Sequence, residues 1–547
     1  MCTFDDIQTK IQVMIDDLKG LCSQCSLSNS ASEEVIVTTV FLYKFLNDKY
    51  MYNLQKWAKK VKKSVDELLK DDSLMEAFKA KYGYDVVFDY KDTIQYLISD
   101  VSKENFYKTF DKALEDLSDR NKHLSIKTSD GTYQPLFEKI CELVPSNKRI
   151  LFARTVFSII ATDKIDFSSA FSSSFDFYSS IFEYLIKDYN VASGTYAEYF
   201  TPQSVSNIIA KCLVGMSDVI KASEIYDPSA GSGSLVLHLG NELRQEDGTA
   251  RAIVYTQDIS QKSSRFLRLN LILNGMTESL DNVVCGDTLV DPSHFETPNQ
   301  ESSGLKHFDY IVANPPFKLD FSSTRNLIES KWTDTDRFFA GVPNIPPKDK
   351  DSMAIYLPFI QHALYSLKDE GKMAIVVPTG FLTAKGSIEK TIRQTLVDNN
   401  WIKGVISMPP NIFANTSTNV SVLFIDKANK SDTAIFVDAS QLGTKVKVGK
   451  NQKTVLSNDE IKRIINTFTK HKPVKDFASE VSFDEIAKKN YSFSAGQYFE
   501  VVIEYCDISQ DDFKKRMMSY KKGLKTKFSE SHKLEKEIMK QIEGLQL

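Results

Sequence analysis

Four short apolar runs between residues 224 and 314 each end in a polar residue, and each is followed by a helical stretch. The polar residues are Asp227, Asp258, Asp287 and Asn314. They lie about 30 residues apart, the length of a strand–helix–strand unit with two parallel strands. Doubly wound sheets built from such units bind ligands beyond the carboxyl ends of their strands. The pattern therefore predicts an α/β fold with a doubly wound, mostly parallel sheet and a ligand site at these strand ends.

The periodicity of the apolar residues divides the chain into four segments. We predict a helical domain, a sheet domain, an extension of the sheet domain and a helical tail, over residues 1–165, 166–440, 441–510 and 511–547. Three later apolar runs add strands to the same sheet, at 373–377, 404–408 and 420–425. The tail carries apolar residues mostly three and four positions apart, namely Phe513, Met517, Tyr520, Leu524, Phe528, Leu534, Ile538, Ile542 and Leu545. This seam favours packing against another helix, and packing on its own chain is the alternative.

Charge and hydropathy exclude a general attraction to nucleic acid or to a membrane. Lys and Arg number 68 against 72 for Asp and Glu, a net charge of −4, so any nucleic-acid contact must be local or shared with a partner. No apolar run approaches the ~20 residues of a membrane span, and the acidic start is unlike a signal peptide. The 7 cysteines are scattered, which argues for reduced thiols, and we predict no metal site. We expect a cytoplasmic protein.

A glycine-rich turn follows the first predicted strand. It comprises Asp227, Pro228, Ser229, Ala230, Gly231, Ser232 and Gly233. Glycine lets the backbone turn sharply and pass close to a ligand. A nicotinamide site would prefer a third glycine and an acid about 20 residues further on, and this sequence has neither. The turn therefore fits a ligand that carries an amino acid better than one that carries pyrophosphate.

The strand-end carboxylates suggest how such a ligand could be held. Asp227 can face a ligand ammonium, Asp258 can accept hydrogen bonds from ribose hydroxyls, and Asp287 can accept one from an adenine amino group. For Asp258 or Asp287 taken alone, a helix N-cap is an equally good explanation.

The segment Asn314-Pro315-Pro316-Phe317 ends the fourth strand. Asn before Pro is held extended, and consecutive prolines offer carbonyls without a competing N–H, so Asn314 Oδ1 and the Pro315 carbonyl can act as paired acceptors. Such a pair can bind both hydrogens of an exocyclic amine and free its lone pair to attack a sulfonium methyl. Phe317 offers a ring on which a base can stack. An isolated motif of this kind is more often an ordinary turn, but its place after three other strand-end sites favours catalysis.

With these motifs the chain resembles the N6-adenine DNA methyltransferases, and within them the modification (M) subunit of type I restriction-modification systems. The segment before the first strand, 194–203, is similar to the segment of this family that precedes the catalytic sheet. Further similarity lies at 286–289, 336–338, 371–378, 408–413 and 490–494. Gln203 stands where the family often has Arg.

The resemblance implies S-adenosyl-L-methionine as the cofactor and residues 314–317 as the catalytic motif. It implies cofactor binding by Glu198, Tyr199, Phe200, Thr201, Pro202, Gln203, Asp227, Ser229, Ala230, Gly231, Ser232, Gly233, Asp258 and Asp287. No block of about 150 residues is left for reading a DNA sequence. The implied partners are double-stranded DNA and a separate specificity (S) subunit, with two M subunits per S subunit, and a restriction (R) subunit is left open.

Two other functions remain alternatives at this point. A protein glutamine N5-methyltransferase could hold a side-chain amide with the same Asn-Pro-Pro acceptors, but it would give no role to the helical segments. A non-catalytic scaffold would have no reason to retain Asn314, Asp227 and Asp258 together.

Overall fold

A computed structural model describes residues 4–28, 30–82, 86–122, 125–128, 133–162, 165–168, 171, 201–217, 222–244, 252–298, 300–331, 335–413, 418–448, 451–499 and 508–544. The chain forms two compact units, Met1–Phe499 and Glu500–Leu547. The first unit contains the sheet and its flanking helices, and the second contains one long helix.

Eleven of the thirteen described strands form one sheet, in the order β13-β10-β8-β9-β7-β6-β3-β4-β5-β1-β2. The strands are β1 (Ile126–Thr128), β2 (Tyr133–Gln134), β3 (Ser223–Asp227), β4 (Ala252–Asp258), β5 (Val283–Cys285), β6 (Phe308–Ala313), β7 (Leu367–Pro378), β8 (Ile402–Ser407), β9 (Val420–Asp426), β10 (Thr433–Asp438), β11 (Thr444–Val448), β12 (Asn451–Val455) and β13 (Ala478–Ser482). Strands β11 and β12 pair with each other as a separate antiparallel sheet.

The centre of the large sheet is parallel, as the sequence predicts. Strand β3 pairs in parallel with β4 on one side and with β6 on the other, and the parallel run continues to β5 and β7. Antiparallel pairing occurs where β9 lies between β7 and β8, and where β13 adds to β10. The winding direction reverses between β3 and β6, so this fold has the topological switch point of a doubly wound sheet.

Alternate residues of the central strands pack into different cores, which shows that helices cover both faces of the sheet. Ile225 and Val312 belong to a core shared with the N-terminal helices. Their strand neighbours Tyr226, Ile311 and Ala313 belong to the opposite core. Near-continuous apolar strands are expected for a parallel sheet that is buried on both faces.

The described residues between 4 and 160 are mainly helical. The helices are α1 (Phe4–Gln24), α2 (Ala31–Val61), α3 (Val65–Leu68), α4 (Asp72–Tyr82), α5 (Ile94–Leu97), α6 (Phe106–Arg120) and α7 (Arg149–Ile160). The short strands β1 and β2 interrupt them and extend the sheet beyond β5. Sequence periodicity misses these strands because two or three residues are too few to show an alternating pattern. The described cysteines are buried and form no disulfide bonds, namely Cys22, Cys25, Cys141, Cys212 and Cys285.

The remaining helices of the first unit flank the sheet. They are α8 (Gln203–Val214), α9 (Ser234–Glu242), α10 (Gln261–Leu273), α11 (Arg325–Lys331), α12 (Tyr356–Tyr365), α13 (Ser387–Asp398), α14 (Asn458–Thr469) and α15 (Phe483–Lys488). Among the helices that the structure describes, none combines the length and apolar character needed to cross a bilayer.

The second unit is the helix α16 (Gln510–Glu543), which is 34 residues long. Ser509 caps its first turn by accepting a hydrogen bond from the N–H of Asp512 at 3.1 Å. Every described residue of the predicted apolar seam is exposed, from 51% at Met517 to 65% at Phe528. Leu545, the last seam residue, lies outside the described part of the chain.

Candidate active site

The four predicted strand-end residues lie at one edge of the sheet. Asp227 ends β3, Asp258 ends β4, Asn314 directly follows β6, and Asp287 lies two residues beyond β5. Because these four strands are parallel, their carboxyl ends meet at the same edge. Asp227 and Asn314 lie at the ends of the two strands that flank the switch point, where ligands of doubly wound sheets bind.

A small pocket lies at this switch point and is lined by Thr201, Asp227, Ser229, Ala230, Ser232, Ser234, Leu235 and Asn314. All except Ser234 and Leu235, which begin α9, are site residues predicted from the sequence. Asp258 and Asp287 are not part of its wall. The predicted site residues Glu198, Tyr199 and Phe200 lie outside the described residues.

Two glycines shape the turn that forms one wall of the pocket. Gly231 and Gly233 have φ angles of 52° and 85°, in the left-handed region that other residues rarely adopt. A Cβ on Gly233 would also lie 2.1 Å from Cδ1 of Leu267 in α10. Gly233 therefore serves both the turn and the close packing of α10, and it caps the start of α9.

Asp227 is a buried carboxyl group with a strongly shifted pKa. Only 1% of the residue is exposed, and this burial, with a smaller contribution from the charge of Asp258, raises its pKa to about 8. The backbone N–H of Ser229 donates to its Oδ1 at 2.9 Å. Among the described residues, no cation lowers the pKa of Asp227. A ligand ammonium in the pocket would supply the missing positive charge.

Asp258 ties the glycine-rich turn to the end of β4. Its Oδ2 accepts the backbone N–H of Gly231 at 2.8 Å, and its Oδ1 accepts that of Ser260 at 2.8 Å. Burial raises its pKa, while these two hydrogen bonds lower it. Each oxygen retains a lone pair, so binding of ribose hydroxyls stays a prediction alongside this observed role.

Asn314 lies beside Thr201 in the lining of the pocket at the switch point. The residue is 8% exposed, and its Nδ2 donates to Oγ1 of Thr201 at 3.1 Å. Its Oδ1 is therefore the end of the amide left to accept a hydrogen bond. Phe317 is half-buried, with its ring edge-on to Tyr356 at a centroid distance of 6.4 Å. Pro202 caps α8 next to Thr201, and the half-buried Gln203 begins that helix.

The turn that carries Asp287 is fixed by hydrogen bonds on both sides. Oδ1 of Asp287 accepts the N–H of Leu289 at 2.9 Å, and Oγ1 of Thr288 donates to the carbonyl of Pro228 at 2.7 Å. The second bond joins this turn to the glycine-rich turn. The buried guanidinium of Arg337 donates to the carbonyls of Thr288 and Leu289 at 2.8 and 3.0 Å.

Another partner of Arg337 is a buried histidine. Arg337 Nε donates to Nδ1 of His362 at 3.1 Å, so His362 carries its proton on Nε2, which lies 3.1 Å from the hydroxyl of Tyr226. Burial lowers the pKa of His362 and keeps the ring neutral. Burial also lowers the pKa of Arg337, to about 9. This chain of polar groups links β3 to the Asp287 turn.

A family model described as N-6 DNA Methylase matches residues 173–505, more than half of the chain. The chain belongs to the N-6 DNA methylase family. This membership confirms the family predicted from the sequence, and the matched range includes both the glycine-rich turn and the Asn-Pro-Pro-Phe motif.

Relatives of this N-6 DNA methylase include two type I restriction enzyme methylase subunits. The MpnII subunit of Mycoplasma pneumoniae is 31% identical over 344 residues, which cover 62% of this chain and 60% of that protein. The MjaVIII subunit of Methanocaldococcus jannaschii is 25% identical over 542 residues, 98% of this chain and 86% of that protein. The chain thus spans less than two thirds of the MpnII subunit and most of the MjaVIII subunit.

Solved structures confirm the fold of this N-6 DNA methylase. The type I restriction-modification methyltransferase subunit from Streptococcus thermophilus has a TM-score of 0.65 and 23% identity, covering 91% of this chain and 100% of that chain. A modification subunit assigned to a type I restriction enzyme from Vibrio vulnificus has a TM-score of 0.53 and 15% identity, covering 90% and 96%.

Six residues predicted from the sequence line this pocket of the N-6 DNA methylase, but the sequence does not reveal the residues that support the pocket. Arg337 lies in the segment 336–338, which is similar to the family but predicts no role for this residue. The sequence does not single out His362, since a lone histidine in an apolar helix is most often a core residue. The link from Arg337 to Thr288 joins segments 49 positions apart and is visible only in three dimensions.

Proposed function

We propose that the chain transfers the methyl group of S-adenosyl-L-methionine to N6 of an adenine in double-stranded DNA, as the M subunit of a type I restriction-modification complex. The observation that carries this proposal is the pocket at the switch point, which is lined by both a buried carboxyl group, Asp227, and an oriented amide, Asn314. Family membership supplies the reaction class, and these two residues supply a binding group and a catalytic group.

The pocket residues fit S-adenosyl-L-methionine. Asp227 lacks a cation among the described residues, and the α-ammonium of the cofactor would provide one. The small side chains of Ser229, Ala230 and Ser232 line the same pocket and are assigned to its methionine moiety. Asp258 and Asp287, on the next two strand ends, are assigned to the ribose and the adenine. The cofactor supplies an electrophilic sulfonium methyl group.

Asn314 and Pro315 are assigned to the adenine that receives the methyl group. Asn314 Oδ1 and the Pro315 carbonyl accept the two N6 hydrogens, which draws the nitrogen toward tetrahedral geometry and directs its lone pair at the methyl carbon. Methyl transfer to N6 would release S-adenosyl-L-homocysteine, and the proton lost from N6 would pass to solvent. Phe317 provides the ring for stacking the flipped base, and Pro316 keeps the loop extended.

The tail helix α16 is assigned to the S subunit. Its apolar seam is exposed along a helix of about 50 Å, calculated at 1.5 Å per residue. A coiled-coil segment of an S subunit is the occupant that such a seam fits, because knobs-into-holes packing needs apolar residues at three and four spacing. Two M subunits on one S subunit would then place a catalytic pocket for each strand of the DNA.

Labelled methyl transfer tests the proposal. The chain and its S subunit are incubated with labelled cofactor and genomic DNA from a host that lacks this gene, with total protein from the same host as the competing acceptor. We expect label in N6-methyladenine at one recurrent sequence. Label in protein glutamine would support the protein methyltransferase instead, and cofactor binding without transfer to either acceptor would support the scaffold.

A further inference from the structure

The two ends of an asparagine amide have almost the same shape and opposite hydrogen-bonding chemistry. Oδ1 accepts, whereas Nδ2 donates two hydrogens. If Asn314 binds an exocyclic amine, Oδ1 must face that amine, because Nδ2 would oppose one set of N–H groups with another. The proposed reaction therefore needs a group that distinguishes the two ends of this amide.

Thr201 engages the Nδ2 end of this amide in the structure. Its Oγ1 accepts a hydrogen bond from Nδ2 of Asn314 at 3.1 Å, although the two residues are 113 positions apart. Both residues are buried, Thr201 at 4% exposure and Asn314 at 8%. With Nδ2 engaged, the amide plane places Oδ1 on the opposite side.

Thr201 is itself held in place. Its carbonyl accepts the hydroxyl of Ser234, the first residue of α9, at 3.2 Å. The hydroxyl of Ser234 lies 2.9 Å from that of Ser206 in α8. Pro202 restricts the backbone of Thr201 to extended conformations. The acceptor is therefore positioned by two helices and a proline before any ligand binds.

We propose that Thr201 is a positioning residue whose hydroxyl oxygen fixes the orientation of the Asn314 amide, so that Oδ1 faces the methyl acceptor. This inference rests on the proposed function of Asn314. It adds to the cofactor-binding role assigned to Thr201. A hydroxyl can donate as well as accept, so the selection requires its single O–H to donate to the cofactor in the pocket that both residues line, which leaves the oxygen to act only as the acceptor for Asn314.

Isosteric substitution separates orientation from packing. Thr201→Val keeps the branched shape and removes the acceptor, while Thr201→Ser keeps the hydroxyl. At saturating cofactor we expect Thr201→Val to lower kcat roughly 10- to 100-fold, as a misplaced catalytic group does, and Thr201→Ser to stay within about threefold of wild type. The Kd for S-adenosyl-L-methionine, measured by calorimetry, should change less than kcat in both variants.

A matched control comes from Thr256 in β4. This residue is fully buried, and its Oγ1 has no hydrogen-bond partner among the described residues. Thr256→Val therefore makes the same chemical change in the core without touching Asn314, and we expect kcat to remain at the wild-type value. Equal losses in Thr201→Val and Thr256→Val would overturn the inference in favour of a general packing effect.

The decisive comparison uses Asn314→Asp. A carboxylate has two acceptor oxygens and no orientation to select, so Thr201→Val should cost less than about threefold in that background. The same loss in both backgrounds would show that Thr201 acts on the cofactor. If Asn314→Asp leaves no measurable transfer, failure of Thr201→Ser to restore kcat overturns the inference. Wild-type transfer to protein would refute the proposed substrate only, and the Thr201 variants would then be compared on that acceptor.

Discussion

The backbone N–H of Gly231 donates to Oδ2 of Asp258 across 2.8 Å, so the carboxylate that ends β4 holds the glycine-rich turn that follows β3. The turn conformation therefore depends on a residue 27 positions later in the chain. A side chain predicted from the sequence as a ligand contact is also part of the scaffold of the pocket.

Asp258→Ala is expected to weaken cofactor binding by about 1.5–3 kcal/mol, because it removes charge-assisted hydrogen bonds to the ligand and releases the N–H of Gly231. Calorimetric titration with S-adenosyl-L-methionine measures this loss. Asp281→Ala, a change in the 3₁₀ turn before β5, is the control and should leave the Kd unchanged. An unchanged Kd in Asp258→Ala would show that the ribose binds elsewhere and that the turn needs no anchor.

Asn314→Ala is expected to abolish methyl transfer while leaving cofactor affinity nearly unchanged. The amide is assigned to the methyl acceptor, and losing one preorganised hydrogen-bonding group of this kind costs ~2.7–4 kcal/mol or more of transition-state stabilisation. Single-turnover transfer and cofactor titration on the same preparation separate the two effects. Transfer within tenfold of wild type would contradict the catalytic assignment.

Cofactor affinity is expected to fall on acidification, because the Asp227 carboxyl, with a pKa raised to about 8 by burial, must ionise to bind an ammonium. Protonation below pH 8 removes the negative charge, so affinity at pH 6 should be roughly 10- to 50-fold lower than at pH 8. Titrations at several pH values measure this dependence. Asp227→Asn should bind weakly at every pH and lose the acidic decline; a decline that persists in this variant would assign it to another group.

The strands that position the site follow from local sequence. The runs ending at Asp227, Asp258 and Asn314 are correct to within a few residues, because buried parallel strands are short, apolar and bounded by polar turns. The family resemblance then gives the order of the motifs along the chain. These signals are local, so sequence periodicity alone was sufficient to detect them.

What the sequence does not show are contacts between distant segments. The placement of β9 between β7 and β8 reverses the strand direction, and no local pattern distinguishes parallel from antiparallel neighbours once both faces are buried. Likewise, the hydrogen bond from Asn314 to Thr201 and the link from Arg337 to His362 depend on tertiary packing. Both contacts orient side chains whose chemical type is evident from the sequence.

Arg337→Met should destabilise the fold. The change leaves the carbonyls of Thr288 and Leu289 and Nδ1 of His362 buried without their donor, and we expect a loss of about 3 kcal/mol in the free energy of unfolding. Urea denaturation measures it. Arg463→Met, at an exposed arginine stacked on Phe477, is the control and should cost less than about 1 kcal/mol. Equal losses in the two variants would show that the buried network adds no stability.

The apolar seam of α16 should be required for association with the S subunit and dispensable for cofactor binding. Leu524→Glu places a charge in the seam, where Leu524 is 55% exposed, and is expected to abolish co-purification with the S subunit. Thr526→Glu adds the same charge about 200° around the helix and is the matched control. Both variants should bind S-adenosyl-L-methionine like the wild type, as should a chain that lacks residues 511–547. Leu524→Glu disrupts the seam and the truncation removes it. Undiminished co-purification of both variants would therefore show that the S subunit binds another surface.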